Sequence, residues 1–105
     1  MDGILLRIFT TEKHRHGGEL LYEWLLEQAK KLGIRGGSAV RAFAGYGRHG
    51  RLHEEAFYEL AGDLPVEVIF FLSQEELQRF LEHLDAEKLS LFYVTSPAQS
   101  GLTAG

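Results

Sequence analysis

Two short stretches of this chain concentrate the residues that could do chemistry. Gly45-Tyr46-Gly47-Arg48-His49-Gly50-Arg51 sets three glycines and two arginines close together. Glycine lets backbone N–H groups approach an anion, and a guanidinium forks onto phosphate or carboxylate. Gly45, Gly47, Arg48 and Arg51 are therefore the leading ligand contacts. The spacing is not that of a P-loop, since no Gly-Lys-Ser/Thr follows. The competing reading is a long hairpin loop kept soluble by arginine. The second stretch, Lys13-His14-Arg15-His16-Gly17-Gly18, precedes an expected helix N-terminus, where an anion is welcome. His14 and His16 are the second-rank ligand contacts, although a solvated charge run would look the same.

The histidines also raise the question of metal. His14 and His16 are two apart, so an extended segment would point them to one side. His49 and His53 are four apart and would share a helix face, with Glu54 or Glu55 nearby. Such a set suits zinc or copper, but surface loops carry histidines for plainer reasons. There is no cysteine, which removes thiolate ligands, disulfides and a thiol nucleophile. Neither Ser38 nor Ser73 has a base beside it in the sequence to make it a nucleophile. No catalytic residue is assigned, and the expectation is a protein that is not an enzyme.

The elements that must position these residues come from a single domain's worth of chain. The 105 residues are 45% hydrophobic and 25% charged, an ordinary globular balance. A domain this small buries only about two-thirds of its unfolded surface, so association with further copies would add core. Fifteen acidic residues against eleven basic give a net charge of −4, which disfavours nonspecific nucleic-acid binding. Yet Arg35, Arg41, Arg48 and Arg51 share a stretch with no acid between Glu27 and Glu54. That suits a small anion better than a polyanion. Met1-Asp2-Gly3 shows no basic segment before an apolar run, and Val68–Leu72 is too short to span a bilayer. A cytoplasmic location without membrane insertion is expected.

Along the chain, Ile4–Phe9 reads as a first strand. Glu19–Leu32 reads as a helix, with Leu21, Trp24, Leu25, Ala29 and Leu32 on one apolar stripe, Lys30 and Lys31 near its end, and Gly33 as its stop. The Trp24 stripe is expected to be core. Ser38–Ala44 reads as a second strand, and Ala56–Leu60 as a short strand extending the glycine-rich hairpin, with helix the alternative. Val66–Leu72 is the clearest strand. Ser73-Gln74-Glu75-Glu76 is a capping box, and the helix it opens carries Leu77, Phe80, Leu81 and Leu84. Leu89–Val94 reads as the last strand. The domain is expected over 1–95, with 96–105 a disordered tail.

The order β-α-β-β-α-β gives an α+β, ferredoxin-like βαββαβ sandwich. Its strands are apolar on both sides: Ile4, Leu6 and Ile8 against Leu5 and Phe9, and Val66, Val68, Phe70 and Leu72 against Ile69 and Phe71. Two helices on one face cannot cover both. Burial of the other face by self-association is expected.

The opening strand Leu5-Leu6-Arg7-Ile8-Phe9 is followed by His16-Gly17-Gly18-Glu19-Leu20-Leu21-Tyr22-Glu23 at the first helix. Gly36-Gly37-Ser38-Ala39-Val40-Arg41-Ala42-Phe43-Ala44-Gly45-Tyr46-Gly47, Arg51-Leu52-His53 and Asp63-Leu64-Pro65-Val66 come next. Together, over roughly residues 3–95, they resemble the bacterial PII-like family catalogued as domain of unknown function 190. One departure is the ending, which lacks a strongly charged last strand. The resemblance implies a homotrimer with its sheets packed around a central axis. It implies nucleotides or other small anions bound between subunits, and a partner protein touched by the long loop. It also implies metal ions as an alternative ligand, and an ion transporter as a partner.

Two rivals share the topology. An acylphosphatase-like enzyme, as that fold's resemblance implies, needs an asparagine to position water, and this chain has none. An RNA-recognition module needs exposed aromatics on the open sheet face within a basic surround. Phe9 and Phe71 could serve, but the acidic charge argues for burial instead. The reading is a PII-like signalling protein that binds a small anionic ligand, with a nucleotide foremost.

Overall fold

The computed structural model describes residues 1–47, 56–57 and 62–104. Arg48, His49, Arg51 and His53 lie outside the described residues. Four strands form the main sheet: β1 (Asp2–Thr11), β4 (Gly37–Arg41), β7 (Pro65–Leu72) and β8 (Phe92–Gln99). Their spatial order is β4-β7-β1-β8, all neighbours antiparallel. Helices α1 (Leu21–Lys31) and α2 (Gln74–Ala86) connect them, which is the expected ferredoxin-like arrangement. Two ribbons are added, β2 (Arg15–His16) with β3 (Glu19–Leu20), and β5 (Tyr46–Gly47) with β6 (Ala56–Phe57).

Alternation along the strands explains the core. On β7 every second residue, Val66, Val68, Phe70 and Leu72, is buried, and on β1 Leu6 and Ile8 are buried opposite Phe70 and Val68. Leu21, Leu25 and Ala29 of α1, with Leu77, Phe80 and Leu84 of α2, close over them. Phe80 meets Phe70 edge-on, centroids 5.3 Å apart. Trp24 is not in this core. It is half-buried and packs against the core's outer rim.

The helix ends follow from their residues. Ser73 Oγ accepts from the Glu76 N–H while the Glu76 carboxylate accepts from the Ser73 N–H, the reciprocal cap expected. Both helices end in a Schellman motif. Gly33 (φ 86°) and Ile34 donate to Lys30 and Ala29, while Lys88 (φ 58°) and Leu89 donate to Asp85 and Leu84.

Several boundaries differ from the expectation, and three of the differences have a clear cause. The first helix starts at Leu21, because Gly17 and Gly18 (φ 60° and 83°) make a tight turn that pairs Glu19-Leu20 with Arg15-His16. Two consecutive positive φ values suit a two-residue hairpin. The second strand stops at Arg41, where the Ala42 N–H turns to the Pro65 carbonyl. The last strand begins at Phe92 and runs through Ser96–Gln99, which pair with Leu5 back to Asp2. A disordered tail from Ser96 is thereby corrected for these four residues: β1 extends to Asp2 and offers them a ladder. Ser100 follows, exchanging hydrogen bonds with Met1.

Candidate functional site

At one end of the sheet three segments converge: residues 10–14 at the end of β1 and beyond it, residues 41–47 at the end of β4 and beyond it, and residues 62–66 before and into β7. Strand pairing sets the meeting point. Val66 stands opposite Thr10 on one side and Arg41 on the other, so one rung carries all three. Backbone bonds extend the junction, with the Glu12 N–H donating to the Leu64 carbonyl and the Ala42 N–H to the Pro65 carbonyl. The Lys13 N–H donates to Asp63 Oδ1 at 2.8 Å. Gly45 lies against Pro65, whose Cγ would be 3.1 Å from an added Cβ. Beyond it, Tyr46-Gly47 pair antiparallel with Phe57-Ala56, so the described start of the glycine-rich stretch lies in a short ribbon.

A cleft of about 230 Å³ opens beside this rung, lined by Glu12, Tyr22, Ala39, Arg41 and Val66. An Arg41 Nη1 bond to Glu12 Oε2, 3.1 Å long, crosses it. Arg41 was visible in the sequence only as one of a basic run. Its partner Glu12 was not, because their meeting depends on β4 and β1 both pairing with β7.

The histidine stretch is divided between two environments. His14 Nδ1 lies 3.1 Å from Thr10 Oγ1, near the convergence. Arg15 folds back to donate to the Gly18 carbonyl. His16 is carried away by the hairpin to the helix layer. Its Nε2–H donates to Glu87 Oε1 at 3.0 Å, and its ring meets Trp24 edge-on with centroids 4.6 Å apart. His83 stacks nearly parallel on Trp24 and donates from Nε2 to Gln28 Oε1 at 2.8 Å. His16 therefore staples hairpin, α1 and α2 together, and is brought next to neither His14 nor the cleft. Among the described residues no group of three or more His, Asp or Glu side chains is placed to hold a metal. The candidates His49 and His53 fall outside those residues. No helix among the described residues is long and apolar enough to cross a membrane.

Known proteins share this architecture. The family model of domain of unknown function 190, described as "Uncharacterized ACR, COG1993", matches residues 3–98. The chain belongs to that family. A UPF0166 protein of Aquifex aeolicus (strain VF5) is 40% identical over 80 residues, 76% of each chain. Among solved structures, CPII, a nitrogen regulatory PII-like protein from Thiomonas intermedia K12 bound to ADP, AMP and bicarbonate, superposes with a TM-score of 0.67. At 19% identity, the match covers 97% of this chain and 96% of that one, so the fold of this family member is PII-like. A phage SAM lyase in complex with S-methyl-5'-thioadenosine superposes with a TM-score of 0.56 at 16% identity, over 90% and 80%. One fold thus carries a regulator and a lyase.

Proposed function

We propose that this protein is a PII-like signalling protein that binds a small anionic ligand, an adenine nucleotide, and passes its bound state to a partner protein. The observation that carries the reading is the likeness, over nearly the whole chain, to a regulator solved with ADP, AMP and bicarbonate. The lyase solved with a thioadenosine adds a second adenosine compound on the same fold. The convergence of residues 10–14, 41–47 and 62–66 supports the placement, because it brings the segments that carry His14, Gly45 and Gly47 to one end of the sheet. In this reading Arg48 and Arg51 supply the charge for the ligand, and His16 acts by holding the hairpin rather than by touching it. The uncovered sheet face closes between subunits, as a homotrimer, which puts the ligand between copies. An ion transporter is the partner class that the family resemblance suggests.

The test is a thermal-shift series with ADP, AMP, bicarbonate and divalent metals. A ligand at a hundred times its Kd adds about 2.7 kcal/mol to the folded state, which in a domain this size raises Tm by on the order of ten degrees. A shift with ADP or AMP that Arg48→Ala with Arg51→Ala abolishes is the expected result. A response to zinc or copper alone would transfer the function to the histidines.

A further inference from the structure

The ion pair at the cleft engages a guanidinium that is placed to meet a ligand's charge. Arg41 ends β4 on the helix-facing side of the sheet, at the rim where that side opens to solvent. Its side chain is 65% exposed and that of Glu12 is 27% exposed. Glu12 cannot easily follow Arg41 elsewhere, because its own N–H is bonded to Leu64 and the next N–H to Asp63. Arg41, on a longer and freer side chain, can swing. Ion pairs this exposed are weak, whereas a guanidinium bound bidentately to a phosphate or a carboxylate is among the stronger polar contacts. An oxyanion entering the cleft would displace the Glu12 carboxylate from Arg41 at little cost.

We infer that Arg41 is an oxyanion-binding residue of the cleft and that Glu12 is its built-in competitor, a carboxylate that mimics the ligand when the cleft is empty. The inference rests on the ligand-binding reading above but assigns residues which that reading does not use. It places the oxyanion against Tyr22, Ala39 and Val66, whose apolar atoms weaken competition from water for the guanidinium. It also gives the two ends of one ion pair opposite effects, which a purely structural bridge would not do. A structural bridge loses the same contact whichever end is removed. A competitor that is removed leaves binding stronger.

The experiment is titration calorimetry of wild type, Glu12→Gln, Arg41→Gln and Arg41→Lys with ADP, adenosine and sodium bicarbonate, each variant first checked for an unchanged circular dichroism spectrum. Arg41→Gln should weaken binding of the oxyanion by about ten- to a hundred-fold. Arg41→Lys, keeping charge without the fork, should lose less. Glu12→Gln should tighten binding by about two- to five-fold. Loss for ADP with adenosine unaffected assigns the site to a phosphate, and loss for bicarbonate assigns it to that ion. Equal loss for ADP and adenosine would overturn the oxyanion role. Weaker binding in Glu12→Gln would overturn the competition. Wild-type binding of ADP that neither Glu12→Gln nor Arg41→Gln alters would refute this inference and leave the proposed function standing. No binding of any of the three by wild type would remove both.

Discussion

The two faces of the main sheet are made by the same four strands, yet they are finished differently. On the helix side Leu6, Ile8, Val66, Val68, Phe70 and Leu72 lie beneath α1 and α2 and are almost wholly excluded from water. On the other side Leu5, Ile69 and Phe71 are only half-buried, and Phe9, Val40, Val94 and Phe92 are exposed, Phe92 by 70%. Phe9 and Phe92, opposite each other on β1 and β8, shield one another at 5.5 Å. Among the described residues the strands place two charges on this face, Arg7 and Glu67, and they are paired at 3.3 Å. A face apolar at its margins and neutral at its centre is unlike a solvated surface. The contrast teaches that the two helices account for half of the strand pattern, and that the other half has no cover among the described residues.

The largest expected effect tests the covered face directly. Phe80→Ala removes a ring that is fully buried and packed on Phe70, which should cost about 3–5 kcal/mol, measured by urea denaturation. Phe92→Ser, on the open face, should leave folding of the single chain nearly unchanged while lowering the mass seen by light scattering. A Phe92→Ser protein as unstable as Phe80→Ala, or a wild-type monomer with no larger species, would break the comparison.

The next effect compares two glycines, one on each face. Gly37 of β4 lies under the Phe70 ring, where an added Cβ would stand 2.6 Å from Cδ1. Phe70 is 2% exposed and has nowhere to move, so Gly37→Ala should cost about 1–3 kcal/mol through overpacking. Gly3 of β1 lies under Phe71, with the Leu72 carbonyl oxygen 2.9 Å from the same hypothetical Cβ. The half-buried Phe71 ring can turn aside, but the Leu72 oxygen is ladder backbone and cannot, so Gly3→Ala should cost as much as Gly37→Ala by straining the pairing of β1 with β7. Thermal melts of both variants at low concentration make the comparison. A Gly3→Ala protein as stable as wild type would mean that the open face yields where the covered one does not.

This asymmetry was partly legible in the sequence. The stripes on α1 and α2, the capping box at Ser73 and the two-sided apolar strands are local patterns, and each gave its element. What was not legible depended on pairing between distant segments. Glu19-Leu20 had helical neighbours and helical charge, but the positive φ of Gly17 and Gly18 drew them into a ribbon instead. Ser96–Gln99 carry tail-like composition and became strand only because β1 extends to Asp2. The same limit applies to the site. Gly45 and Gly47 stood out by composition, whereas Glu12 and Arg41 became a pair only through their shared neighbour β7. His16 looked like a companion of His14 until the hairpin carried it to Trp24 and Glu87.

The smallest expected effect lies on the outer surface of the helix layer, where the covered face is itself not neutral. The Glu19 carboxyl is held above the usual carboxylate range, first by a hydrogen bond with the Glu27 side chain, then by slight desolvation and by the charges of Glu27 and Glu23, with Lys31 opposing. A carboxyl raised in the folded chain holds its proton more tightly there than when unfolded, so folding is penalised once the pH is above both values. The penalty fades as the pH falls through the raised value and is gone below the unfolded value near 4.5. Glu19→Gln should therefore raise Tm slightly at pH 7 and make no difference at pH 3.5. A Tm lowered at pH 7 would show instead that Glu19 stabilises the ribbon through its charge, and that crowding with Glu27 is not what governs this edge of the helix layer.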